Sequence, residues 1–372
     1  MERANIVIVG GGVVGCAIAR ALSQRWSDVF VLEALPKIGM GASSRNSGVI
    51  HSGLYYLPGS LKARHCVRGN QLTYEFCAAH GVPHRKTGKL VVASASSESE
   101  ELAALMKTGE ANGVEDLKVI DRDAIRAREP HVEGFQAIDV PSTGIVGSEE
   151  LVKAYARLAT DNGASIVTRA NVERLEPTRE GIRVTSTAGE IETRCLVNSA
   201  GLFADEVAGM LRSAMAAHRI YPVRGEYCEF VRSKQGLIRG PVYPLPHPEG
   251  VSLGVHLTKT IWGNVLVGPT ARYLDDKTNY ERDREPIETF ARGAKLLVPE
   301  IELGDLVQAY SGIRAKLTPQ GKPGEKRVAD FIIQSDPQFP CVVHLMGLES
   351  PGLTSAPSIA EHVSGLVAEI LG

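Results

Sequence analysis

Neither sign of charge dominates this sequence: 41 Lys and Arg stand against 43 Asp and Glu, a formal net charge of -2 over 372 residues. That balance points away from nucleic acid and from an anionic membrane as partners. Cysteine is sparse and unpatterned. The six are Cys16, Cys66, Cys77, Cys195, Cys228 and Cys341, with no CxxC pair among them. Four lie in apolar or helical runs, as buried free thiols of a reducing compartment do. Neither a disulfide framework nor a metal site is expected. No apolar run approaches the roughly 18 unbroken residues of a membrane-spanning helix. Residues 1–5 alone precede the first apolar run, and a glycine turn interrupts that run, so no signal peptide is expected. A cytoplasmic, soluble chain follows, compatible with peripheral contact at the inner membrane. Internal repeats and low-complexity linkers are also lacking, and Trp26 and Trp262 carry no signal.

What is present is concentrated in the first 45 residues. Ile6-Val7-Ile8-Val9 runs straight into Gly10-Gly11-Gly12-Val13-Val14-Gly15. A small, apolar stretch follows, then Val29-Phe30-Val31-Leu32, closed by Glu33. The order is strand, glycine turn, helix, strand, acid. Gly10 permits the tight turn off the strand, Gly12 lets a pyrophosphate approach the backbone, and Gly15 lets the helix pack on the sheet. The pyrophosphate then rests on free N–H groups at the positive end of a helix. Glu33, 18 residues after Gly15, is placed to accept hydrogen bonds from the ribose hydroxyls of an adenosine.

The chain is long enough for two domains or one large interleaved fold, and 43% hydrophobic residues supply a sizeable core. Helical spacing marks residues 60–79, 98–112, 121–129, 149–162, 204–211, 285–297 and 358–371. Strands are expected at 90–93, 165–167, 170–175, 195–201 and 342–348, with a hairpin around Ala188-Gly189. Residues 221–268 carry short strands and Pro/Gly turns, the mark of an antiparallel sheet, and 305–314 is extended. The charged residues 275–285 read as a solvated loop. The fold class expected is α/β, α+β overall. A Rossmann-like dinucleotide domain of residues 1–85, 145–221 and 308–372 is interleaved with a mixed or antiparallel β-sheet substrate domain of residues 86–144 and 222–307.

The opening unit alone does not separate NAD from FAD. Three features favour FAD. The glycine fold stands at the start of the sequence, with no catalytic domain ahead of it. The donor-rich loop Ser43-Ser44-Arg45-Asn46-Ser47 follows the ribose acid closely, where an extended cofactor needs more contacts. The last strand leads through Gly347-Leu348-Glu349-Ser350-Pro351-Gly352-Leu353-Thr354 into a long helix, whose dipole suits the N1–C2=O edge of a flavin.

The run NSGVIHSGLYYLPGSLKARHCVRG, residues 46–69, resembles the corresponding stretch of L-2-hydroxyglutarate dehydrogenases and oxidases, within the D-amino-acid oxidase and glycine oxidase class of flavoproteins. TGKLVVA, VPSTGIVG, NSAGLFAD, YPVRGEY, VYPLPHPEGVSLGVHLTKT, VLVGPTA and SGIRAKL continue the resemblance in the same order. The resemblance implies a glutathione-reductase or D-amino-acid-oxidase type of fold and non-covalent FAD. It implies hydride transfer to flavin N5 from a small 2-hydroxy acid, with L-2-hydroxyglutarate going to 2-oxoglutarate. One departure is the loop 347–354, where family members carry an Asn-Ala-Pro-Ser-Pro type of sequence. An amino acid or glycerol 3-phosphate is the alternative substrate, and an electron-relay or partner-binding subunit a third reading. The electron acceptor expected is oxygen, a quinone or another flavoprotein.

The resemblance also assigns residues. Arg314 matches the arginine that grips a substrate carboxylate, which a guanidinium can hold bidentately. His256 is the first choice for general base, because strand alternation puts its side chain on one face with Gly254 and Thr258, and His51 is the second. Tyr243 and Lys259 are further substrate contacts, Lys259 for a distal carboxylate. The cofactor is expected to touch Gly10, Gly12, Val13, Val14, Gly15, Glu33, Ala34, Ser43, Ser44, Arg45, Asn46, Ser47 and His51. It is expected to touch also Val172, Ala200, Gly201, Arg314, Gly352, Leu353 and Thr354. His344 reads as a satisfied core residue.

Overall fold

A computed structural model describes residues 2–246, 254–321 and 328–372 of the chain. Residues 247–253, part of one stretch of the family resemblance, lie outside these. Glu2–Val9 sits inside an eight-stranded sheet. Ile6 and Ile8 enter one apolar cluster and Val7 and Val9 another, so the strand is covered on both faces, as parallel strands are. Val29–Glu33 and Gly189–Asn198 flank it, both parallel. Val342–Met346 adds in parallel beyond Gly189–Asn198, and Ser165–Thr168 extends the other side. The helices Val13–Ser23, Ser148–Asp161 and Gly352–Leu371 cover one face through Ile18, Leu151, Tyr155 and Ile359.

A second, nine-stranded sheet is built on Tyr221–Phe230. That strand pairs antiparallel with Leu306–Lys316, Val265–Gly268 and Arg272–Tyr273. His256–Lys259, Val242–Pro244, Leu90–Ala93, Gln136–Asp139 and Lys118–Asp121 continue the sheet. One face is apolar: Leu90, Val92, Val242 and Leu257 pack against Phe290, Ala294 and Leu297 of the helix Ile287–Leu297. The period of two along each strand then puts Lys89, Tyr243 and His256 on the opposite face. The site is made there.

Two outcomes differ from the sequence reading. The last helix begins at Gly352, six residues ahead of residue 358. Pro357 looks like a breaker, but buried Thr354, Ser355 and Ala356 hold the preceding turn in place, and packing overrides the proline. Residues 275–285 form the charged, largely exposed loop expected, but its backbone is anchored to the sheet, which the sequence reading did not foresee. Arg224, fully buried on Tyr221–Phe230, pairs with Glu226 at 2.8 Å and donates to the carbonyls of Asn279 (3.3 Å) and Asp283 (2.7 Å). Glu226 accepts in addition from Arg284 Nε at 3.2 Å and the Glu285 amide at 2.9 Å. The charged loop is thus sewn onto the sheet from below by two residues of one strand face. Among the described residues no helix is long and apolar enough to cross a membrane.

Removing the carboxylate from this network leaves two guanidinium groups without their anion in a dry site. Glu226→Gln should therefore lose about 3–5 kcal/mol of stability. The exposed Glu100→Gln should lose under about 1 kcal/mol. Denaturant unfolding followed by flavin fluorescence reads the difference, and equal losses would contradict the role given to Glu226.

Candidate active site

The glycine turn has the geometry its sequence implies. Gly10 has φ 102°, and a Cβ there would lie 2.6 Å from the Ser199 carbonyl oxygen. A Cβ on Gly15 would come within 2.0 Å of the Gly10 carbonyl oxygen, so helix and turn close on each other only with glycine at both positions. Gly12 is the N-cap residue and supplies no side chain. The Ser43 hydroxyl takes that role across the chain, accepting from the Val13 amide at 2.9 Å. Its O–H is then aimed at whatever anion the helix end holds. Glu33 accepts from the Gly11 amide at 2.7 Å and the Leu35 amide at 2.8 Å, which fixes the carboxylate and leaves each oxygen a lone pair. Ala34 beside it is exposed, and Val172 is buried at the start of Val172–Pro177.

The loop after Ser43 joins the two sheets. Arg45 donates to the Ser311 carbonyl at 3.2 Å and lies over the Tyr280 ring at 4.3 Å. Asn46 engages its side-chain amide and its backbone carbonyl inside the protein. Its amide donates to Ser43 O at 2.7 Å, its Oδ1 accepts from Gly48 N and Ser148 Oγ, and its carbonyl accepts from Tyr310 OH at 2.6 Å. Ser44 Oγ donates back to the Gly41 carbonyl, and Ser47 bonds Tyr227. These residues shape the loop by internal bonds more than sequence alone suggests.

His51 is locked through its backbone. Its amide donates to Thr354 Oγ1 at 2.9 Å, and its carbonyl accepts from Asn70 Nδ2 at 2.9 Å. Thr354 belongs to the first turn of the last helix, so the early start of that helix is what seats His51. Leu353, its neighbour, packs against the core of the first sheet. His51 Nε2 lies 3.3 Å from Ser350 Oγ, while Nδ1 is buried with no partner among the described residues. His256 Nδ1 donates to the Gly254 carbonyl at 2.9 Å, and its ring stacks on Tyr243 with centroids 3.8 Å apart. Arg314 stands opposite Val223 in the strand pair Tyr221–Phe230 and Leu306–Lys316, with no carboxylate partner among the described residues.

The electrostatics tie these groups into one site. Burial, then the Lys89 ammonium, then the Arg314 guanidinium push the His51 pKa down to about 3. His256 is pushed down to about 3 by burial and by Arg314, His51 and Lys89, against an upward pull from its bond to Gly254. Burial raises Tyr243, with Tyr227 adding to it and Arg314 opposing it. Of the substrate-side residues expected, His51, His256, Arg314 and Tyr243 are therefore brought together. Lys259 is not: its ammonium is held by the carbonyl oxygens of Gln235 and Ile238, each at 3.0 Å. Lys89, Tyr55 and Tyr227 were missed. The available signal was a lysine entering the apolar strand Leu90–Ala93, where strand alternation puts it off the core face. His344 is a core residue, bonded to Asp336 at 3.0 Å and to Asn198 at 3.1 Å.

The residues fit FAD. The uncapped helix end at Gly12 with the Ser43 hydroxyl suits a pyrophosphate. A Cβ added at Gly41, Gly201 or Gly352 would meet nothing within 4 Å, so a ligand can approach the backbone at all three. His51 Nδ1 is one of the buried polar atoms that no described residue satisfies. A dinucleotide sheet joined to a mixed, mainly antiparallel sheet that carries imidazoles and a guanidinium with no carboxylate partner among the described residues is the arrangement of a flavoprotein oxidoreductase. The chain belongs to the FAD dependent oxidoreductase family, DAO, which it matches over residues 5–366. It is 34% identical to the mitochondrial L-2-hydroxyglutarate dehydrogenase of Arabidopsis thaliana, over 98% of this chain and 83% of that one. It is 32% identical to the L-2-hydroxyglutarate dehydrogenase of Escherichia coli strain K12, over 99% and 94%. Among solved structures, dithionite-reduced L-α-glycerophosphate oxidase from Mycoplasma pneumoniae, with FAD bound, superposes with a TM-score of 0.89 at 27% identity, covering 99% and 95%. The protein is an FAD-dependent oxidoreductase.

The two depressed imidazoles make stability depend on pH. An unfolded chain protonates each histidine near 6.5, the native one only near 3. Unfolding therefore takes up protons between those values, and stability falls as pH falls through that window. The melting temperature of the FAD-loaded protein should drop between pH 7 and 5, and drop less in His256→Gln. An identical pH slope in the variant would rule out His256 as a source of the effect.

Proposed function

We propose that this chain oxidises L-2-hydroxyglutarate to 2-oxoglutarate. The observation that carries the reading is the free Arg314 guanidinium beside two neutral imidazoles, a cation for the substrate's carboxylate next to bases for its hydroxyl proton. The activity named for the Arabidopsis and Escherichia relatives supports the same choice. FAD, when bound, supplies the hydride acceptor at flavin N5. Ser43, Glu33 and the first turn of Val13–Ser23 would hold its adenosine diphosphate half, and the start of Gly352–Leu371 and the His51 loop would be placed to hold its ring. The residues 306–316 go with the substrate sheet in this reading, since that strand pairs with Tyr221–Phe230.

His51 is the general base. Its Nδ1 has no partner among the described residues, whereas His256 Nδ1 is engaged by Gly254. As the C2–H leaves as hydride, the hydroxyl proton moves to His51 Nδ1 and the C2–O bond becomes a carbonyl. His256 and the stacked Tyr243 form the dry wall that orients the substrate. A carboxylate on Arg314 offsets one of the cations that depress both imidazoles, so binding raises the basicity of the group that must take the proton.

The purified protein should be yellow. L-2-hydroxyglutarate should bleach it under anaerobic conditions, while amino acids and glycerol 3-phosphate should not. Arg314→Ala should raise the KM by about 100-fold, the order of a lost charged hydrogen-bond pair. His51→Asn should slow flavin reduction by about 100-fold or more, and His256→Asn by less. Bleaching by amino acids alone would overturn the substrate, and the reverse ranking of the two histidines would overturn the base.

A further inference from the structure

We propose that Lys89 binds the second carboxylate of the substrate, so that the site selects 2-hydroxy acids with a carboxylate at each end. The inference rests on the reading above, in which Arg314 holds the first carboxylate. Lys89 is 1% exposed, yet no carboxylate among the described residues forms an ion pair with it. Its Nζ lies 3.3 Å from Tyr55 OH, and over the rings of Tyr55 at 4.3 Å and Tyr243 at 4.7 Å. A phenol oxygen and two ring faces orient an ammonium but do not replace its lost water.

Two other lysines near this part of the fold, Lys62 and Lys259, are satisfied in the usual ways. Lys62 pairs with Glu349 at 2.8 Å, and Lys259 binds two backbone carbonyls. Burying a cation without an anion is unfavourable unless a ligand brings one. Lys89 also sits where a ligand would be. Val91, two residues on, pairs with Tyr243, so Lys89 shares a sheet face with Tyr243 and His256. Its charge and that of Arg314 both act on His51 and on His256. Two uncompensated cations bracket one pair of imidazoles, and a dicarboxylate neutralises both. A monocarboxylic amino acid would leave Lys89 buried and unpaired.

The test is anaerobic flavin reduction of the FAD-loaded enzyme by L-2-hydroxyglutarate and by L-2-hydroxybutyrate, which lacks the distal carboxylate. In Lys89→Met the preference for the diacid should fall by about 30-fold or more, the order of a lost charged hydrogen bond, with Lys89→Arg retaining part of it. An unchanged ratio, or equal loss with both acids, overturns the proposal. Should neither variant fold, the wild-type enzyme decides by binding of glutarate against butyrate. Around Lys89 the titratable groups are Tyr55, Tyr243, Cys66, His51 and His256. Burial holds the tyrosines and the thiol protonated and the imidazoles neutral from pH 6 to 9, with Lys89 itself brought down to about 7. Glutarate should bind the more tightly at pH 6, and its advantage should shrink toward pH 9. A constant advantage overturns the proposal. Failure of L-2-hydroxyglutarate to bleach the wild-type flavin would instead remove the proposed function.

Discussion

The site depends on a buried ion pair that lies beneath it. Arg224 and Glu226 face the same way on Tyr221–Phe230 and hold residues 275–285 by their backbone carbonyls and amides. That loop carries Tyr280, whose ring receives Arg45 and whose carbonyl accepts from Ser311 Oγ. Arg45 and Asn46 belong to the donor-rich loop next to the glycine turn, and Tyr310 on the substrate sheet binds the Asn46 carbonyl. A charge pair under one sheet therefore sets the distance between the cofactor cradle and the face that carries Arg314. Such a pair contributes little net stability by itself, but losing one partner is severe. It serves as a positional lock.

Above the lock, the site collects positive charge and withholds its counter-ions. Arg314 and Lys89 have no carboxylate partner among the described residues, and both imidazoles are kept neutral by burial and by those cations. The arrangement is unfavourable in the free protein. In the proposed function an anionic ligand relieves it, and the relief reaches the imidazole proposed to accept the proton. Lys62 gives the contrast. It has its carboxylate, Glu349, within the fold, and with it anchors the loop ahead of the last helix to Leu61–His80.

The sequence reveals what is local. The glycine turn, Glu33 and the helix Leu61–His80 are written in contiguous residues, and all are present. His256 falls on the substrate face because period-two alternation is also local. The misses are all matters of partners distant in sequence. Lys259 looks like an anion binder until the carbonyls of Gln235 and Ile238 are brought to it. Lys89 looks like a strand-edge lysine until Tyr55 and Tyr243 close over it. The anchoring of the exposed loop 275–285 goes unseen because the arginine that binds its backbone lies over 50 positions earlier. The last helix starts early because tertiary burial of Thr354 and Ser355 outweighs a proline that a sequence pattern treats as a stop.

Thr354 receives the amide of His51 and is in turn bonded to Val49 O, across about 300 positions of sequence. The first βαβ unit emerges from the ribosome early, but the residue that seats His51 is made about 300 positions later. A nascent chain can form its phosphate cradle while the reactive end stays unassembled, because the strand Val342–Met346 and the helix after it are still in the exit tunnel. A chain interrupted before Thr354 would have the nucleotide cradle without the contact that seats His51.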